Sequence, residues 1–122
     1  MSEPYRIVSL GNGLSVRFYD FSNRYYGDFH RVCIEVKIDI PVQLDRLPAG
    51  LADGGAKLSS PQRFERRLER MGVSGGELQA VKIKLVEDFL SASSVYLNRP
   101  DFGLQFIKRK LTVKAKQAYL RD

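Results

Sequence analysis

Residues 31–41 read RVCIEVKIDIP, and the reading of this stretch decides the fold. Val32, Ile34, Val36, Ile38 and Ile40 alternate with Arg31, Cys33, Glu35, Lys37 and Asp39, and Pro41 ends the run. Successive side chains of a strand point to opposite faces, so the run has one apolar face for a core and one polar face for water. That division is the mark of an antiparallel sheet covered on one side.

Two shorter runs precede it. Tyr5 to Leu10 and Leu14 to Asp20 read as strands joined by Gly11-Asn12-Gly13. An Asn-Gly pair supplies the two positive-φ positions of a two-residue hairpin loop. In that register Ile7 faces Phe18 and Ser9 faces Val16, with Leu14, Val16 and Phe18 on one side of the strand. The next segment, FSNRYYGDFHR at 21–31, has the Asp, Ser, Asn and Gly of a connection between strands. Arg24, Tyr25 and Tyr26 make it more aromatic than a turn requires, and mark a candidate surface in the β half.

Beyond Pro41, residues 43–59 (QLDRLPAGLADGGAKLS) show no period and read as a long connection. Ser60-Pro61 resembles a cap and first helical position, followed by Phe64, Leu68 and Met71 at helical spacing and Gly72 as the stop. A fourth strand over 64–71 is the competing assignment. Ser74-Gly75-Gly76-Glu77 has the capping-box pattern and opens a helix to about Leu97. Leu78, Val81, Leu85, Phe89, Ala92 and Tyr96 form one stripe on it, and Ile83, Val86, Leu90 and Leu97 a second, which predicts a helix covered on two sides. A last helix runs from about Asp101 to Leu120, with Leu104, Ile107, Leu111, Ala115 and Ala118 as its core stripe. Phe102, Phe106, Val113 and Leu120 make a separate second stripe. The expected fold class is α+β: an antiparallel sheet of three to four strands, an N-terminal meander, followed by two to three helices packed on one face. Residues 1–122 are expected to form a single domain, β-rich over 1–42, a loop over 43–59 and helical over 60–122.

The hydrophobic content of 43% argues against disorder, and no apolar run approaches the ~20 residues that span a bilayer. The N-terminus lacks the basic and apolar regions of a signal peptide, and one cysteine cannot form an internal disulfide. These features predict a cytoplasmic domain without a membrane partner.

Several chemistries fail on inspection. Gly72-Val73-Ser74-Gly75-Gly76 matches G-x-S-x-G, but no histidine follows Ser74 to act as its base. In GLADGGAKLS (50–59) the lysine is displaced by one position from a phosphate-binding loop. His30 and Cys33, three apart on one strand, point to opposite faces. One histidine and one cysteine make no zinc set, and Asp20, Ser22, Asn23 and Asp28 lack the spacing of a calcium loop. No catalytic residue, cofactor site or metal site is expected.

The net charge of +6 lies almost wholly in residues 98–122, which hold seven Arg/Lys against two Asp/Glu. On a helical wheel Arg109 and Lys116 fall on one side of the second stripe, and Lys110, Lys114 and Arg121 on the other. An apolar strip with basic flanks suits a protein partner or self-association better than a duplex, whose binding helices gather charge on one face. The expected function is a non-enzymatic protein-interaction module, self-associating or docking a partner through the last helix. Its candidate surface is Phe102, Phe106, Arg109, Lys110, Val113, Lys116 and Leu120, with Arg24, Tyr25 and Tyr26. A nucleic-acid-binding domain using the basic end with the Arg/Tyr cluster at 24–31 is the alternative.

YYGDFHRV at 25–32, LERMGV at 68–73 and YLNRPDF at 96–102 together resemble a group of small bacterial proteins to which no function is assigned. The resemblance implies a bacterial source and a single domain, and carries over no catalytic residue.

Overall fold

The five apolar residues of the 31–40 run are at most 1% exposed, and they form the floor of the core. The computed structural model describes residues 3–56, 58 and 60–120, apart from the side chains of 49 and 114–120. Among these residues, five strands form one antiparallel sheet: β1 (Arg6–Ser9), β2 (Ser15–Asp20), β3 (Asn23–Tyr26), β4 (Phe29–Ile40) and β5 (Gln62–Ser74). Three helices, α1 (Ala49–Ala56), α2 (Leu78–Leu97) and α3 (Phe102–Leu120), complete the α+β fold.

β4 is the central strand. One edge carries β5 along its whole length; the other carries β3 at its start and β2 over the rest. β2 and the first residues of β3 share one register against β4, from Val16↔Ile38 to Asn23↔Arg31, so they act as one strand broken at Phe21-Ser22. The ladder survives the break: Phe21 N donates to Cys33 O at 2.8 Å, and Ser22 Oγ accepts from Cys33 N at 3.0 Å. The real turn of the 21–31 segment is Gly27-Asp28, with Gly27 at φ 53° and Tyr26 paired to Phe29. Tyr25 is the extra residue where the β3 register shifts.

The first hairpin differs from expectation. Its pairs are Val8↔Val16 and Ile7↔Arg17, which needs a three-residue loop, closed by Leu10 N donating to Leu14 O at 2.8 Å. Only Gly13 takes a positive φ, 88°, as in the loops whose last residue is left-handed. Asn12 has no positive φ, as a loop with only its last residue left-handed requires, and its side chain reaches the end of α2.

The larger correction concerns 61–71, which is not a helix but most of β5. Its core face carries Gln62, Phe64, Arg66, Leu68 and Arg70, each opposite an even-numbered residue of β4. Phe64 is buried and Leu68 half-buried, while Arg66 and Arg70 are exposed. Met71-Gly72 together oppose Arg31, with Gly72 at φ 70°, which is a bulge and not a helix stop. The extra residue switches the face, so Val73, odd-numbered, is buried opposite His30.

Among its described residues the 43–59 connection after Pro41 also holds regular structure. A 3-10 turn at Leu44–Arg46 leads into α1, which packs on α3. Gly54 allows that approach, since a Cβ there would lie 3.2 Å from Leu111. α2 begins at Leu78 after a 3-10 turn at Gly75–Glu77, and Ser74 makes no capping bond through its side chain. The Asp28 carboxylate takes that place from the β3–β4 turn, accepting from Gly75 N at 3.2 Å.

α2 and α3 pack on the one apolar face of the sheet. Val86 and Leu97 are fully buried, and Phe89 meets Phe18 edge to face at 6.0 Å. Ile83, Ala92 and Val95 are exposed, so α2 is covered on one side and not on two. α3 buries Phe102, Ile107 and Leu111. Each fully buried large side chain contributes about 1.5–3 kcal/mol. The other sheet face is paved with ion pairs: Arg17 and Arg63 on Asp39, Arg67 and Lys37 on Glu35, and Arg31 on Glu69. Among the described residues no helix is long and apolar enough to cross a membrane.

Candidate functional site

Where the start of β5 passes beneath α3, the chain leaves an open cleft of about 470 Å³. β5 supplies Gln62, Phe64 and Arg66, α2 supplies Tyr96, and α3 supplies Phe106, Arg109, Lys110 and Val113. The helix places Phe106, Arg109, Lys110 and Val113 on one side because they fall at i, i+3, i+4 and i+7.

The floor is a set of rings. Phe64 meets Phe102 at 5.8 Å and Phe106 at 6.0 Å, and Tyr96 meets Phe102 at 5.1 Å, all edge to face. Three cations stand over them: Arg66 at 4.5 Å from the Phe64 ring, Lys110 at 5.3 Å from Phe106 and Arg109 at 5.7 Å from Tyr96. Arg109 also donates to the Tyr96 hydroxyl, and Lys110 Nζ donates to Gln62 Oε1 at 2.8 Å. No carboxylate is among the described lining residues. The arrangement offers apolar surface and uncompensated positive charge together. Ring contacts hold the cations in place while leaving hydrogen-bonding N–H groups for an anion.

Of the surface expected from the sequence, Phe106, Arg109, Lys110 and Val113 come together here. Phe102 does not belong to it: at 1% exposed it is a core residue, packed between Phe64 and Tyr96. The side chains of Lys116 and Leu120 lie outside the described residues. Arg24, Tyr25 and Tyr26 are exposed, but they sit by Phe29 and His30, whereas the cleft's β5 residues lie opposite Val36, Ile38 and Ile40. Six residues of β4 separate His30 from Val36, roughly 20 Å at strand rise, so the Arg/Tyr cluster is not part of the described cleft lining. Gln62, Phe64, Arg66 and Tyr96 went unrecognised as cleft residues; the signal for Arg66 was its place two residues from Phe64 on a strand.

The residues considered for chemistry have structural partners. Asp20 lies on the core side of β2 and pairs with Lys82 of α2 at 2.7 Å. Partial burial raises its pKa, but hydrogen bonds from Lys82 and Ser22, with the Lys82 charge, outweigh this and hold the carboxyl below the usual range. Asp28 serves the turn before α2, with His30 Nε2 3.8 Å from its carboxylate. Cys33 is buried on the opposite face from His30. Among the described residues no cluster of His, Cys, Asp and Glu could hold a metal ion.

Comparison of the chain with models of known protein families, with curated proteins and with solved structures found no match.

Proposed function

We propose that the protein is a non-enzymatic interaction module whose β5–α3 cleft docks an acidic segment of a partner protein bearing apolar side chains. One observation carries this reading: Arg66, Arg109 and Lys110 surround an aromatic floor with no carboxylate among the described lining residues. Apolar side chains of the guest would cover Phe64, Phe106 and Val113, and its carboxylates would meet the three cations. A nucleic-acid strand needs cations in a row that tracks its backbone. The ring-and-arginine cluster at Arg24–Tyr26 lies roughly 20 Å along β4 from Arg66 and adds no cation to the cleft lining.

The test is fluorescence anisotropy with a labelled peptide of alternating Glu and Leu/Phe residues. Its controls are the same peptide with Lys for Glu and an oligothymidine of similar length. The acidic peptide is expected to bind roughly tenfold or more tightly than the lysine control, and to weaken as salt rises. The R109E/K110E double substitution is expected to abolish the preference. Equal binding of both peptides, or binding of the oligonucleotide alone, overturns the reading.

A further inference from the structure

β5 is an edge strand, and along Arg63–Arg70 its outer edge has no strand partner among the described residues. Natural edges of this length are usually shortened or covered. On its other side the sheet ends in β1 and β3, each a four-residue strand. The question is which backbone groups β5 presents, and what pattern of side chains accompanies them.

The ladder answers the first part. Residue pairs of an antiparallel ladder alternate between bonded and non-bonded. Leu10 N donates to Leu14 O, which places the even residues of β2 toward β1 and its odd residues toward β4. Phe21 N donating to Cys33 O continues that phase, so the odd residues of β4 bond toward β2 and β3 and its even residues toward β5. Ile34, Val36 and Ile38 are paired with Leu68, Arg66 and Phe64. The odd residues of β5 therefore direct their N–H and C=O groups to the open edge. The Arg66 guanidinium donates to Glu65 O at 2.9 Å, as fits a carbonyl not engaged by β4.

Those odd residues are Arg63, Glu65, Arg67 and Glu69, which alternate in charge. We propose that β5 is a self-complementary dimerisation edge, on which a second copy of this chain lays its own β5 antiparallel about a twofold axis at Arg66. In this register Arg63 faces Glu69 of the second copy and Glu65 faces its Arg67, and each such pair exchanges two backbone hydrogen bonds. Phe64 faces Leu68 in the closer, non-bonded positions. Slipping by one pair in either direction sets Glu against Glu and Arg against Arg, so the charge pattern selects one alignment. The pairing also extends the ion pairs already on this face. Asp39 holds Arg63, which would meet a Glu69 held by Arg31; Glu35 holds Arg67, which would meet Glu65. Arg66 alone meets its own copy, on the helix side, and weakens the dimer. The proposal does not depend on the cleft having a peptide guest.

The test is sedimentation equilibrium across the micromolar range, with circular dichroism confirming the fold of each variant. The wild type is expected to be a dimer. E65R alone sets arginine against Arg67, and R67E alone sets glutamate against Glu65, so each is expected to be monomeric. An equimolar mixture of the two restores opposite charges at both contacts and is expected to dimerise as a heterodimer. R66T relieves the like-charge contact on the axis and is expected to tighten the dimer roughly two- to fivefold. A monomeric wild type, variants that dimerise as well as wild type, or a mixture that stays monomeric overturns the proposal.

Discussion

Asn12 and Asn98 hold each other's chain segments. Asn12 Nδ2 donates to the carbonyl oxygens of Leu97 and Arg99, both at 2.8 Å, and Asn98 Oδ1 accepts from Gly11 N at 2.6 Å. The first hairpin loop is thereby tied to the end of α2, where a helix leaves its last carbonyls without internal partners. Asn12→Ala removes the donor to both carbonyls and the acceptor of Leu14 N. The expected loss is about 1–3 kcal/mol, measured by urea unfolding.

The Asp20–Lys82 pair makes stability depend on acid. Because the folded pKa of Asp20 lies below its unfolded value, its contribution is fully present above the ordinary aspartate pKa and is lost as pH falls through the lower folded value. Denaturation followed from neutral pH down past ~4 should show this fall. Asp20→Asn should flatten it and cost about 1–3 kcal/mol at neutral pH, since Lys82 is only 12% exposed and loses its charged partner.

Gly72 occupies the left-handed region at the β5 bulge. A side chain there should cost about 1–2 kcal/mol, so Gly72→Val should lower the unfolding midpoint accordingly. Nothing lies within 4 Å of a Cβ at this position, so the cost comes from the backbone and not from a clash. Gly72→Asn, which tolerates this conformation better, should cost measurably less.

Cys33 offers a probe of opening, being buried where its backbone is bonded to Phe21 and Ser22. A thiol-specific disulfide reagent should modify the native protein roughly 10³-fold or more slowly than the unfolded chain. The rate should rise with denaturant in step with global unfolding; faster modification would mark local opening at the Phe21-Ser22 break.

β4 was legible because its two faces differ at every residue from Arg31 to Ile40. β5 was not, for a reason that lies in its position. Its core face is only partly covered, so Arg66 and Arg70 share that face with Phe64 and Leu68 and erase the alternation of apolar residues. The apolar positions left, 64, 68 and 71, carry a helical spacing by coincidence. The alternation survives in the charges Arg63, Glu65, Arg67 and Glu69, which a hydrophobicity pattern does not register. The α3 half of the cleft was visible in the spacing of Phe106, Arg109, Lys110 and Val113. The β5 half was not, because Phe64 and Arg66 reach it only once β5 is a strand beside β4.

The central place of β4 has a kinetic consequence. Its partner on one side arrives through a two-residue turn at Gly27-Asp28, so that pairing closes at little entropic cost. Its partner on the other side follows a connection spanning residues 41–61, and the sheet cannot complete until that longer excursion is closed. Loop-closure entropy thus favours pairing of β2/β3 with β4 ahead of the docking of β5. Until it docks, the chain also exposes the edge of β4 that β5 later covers.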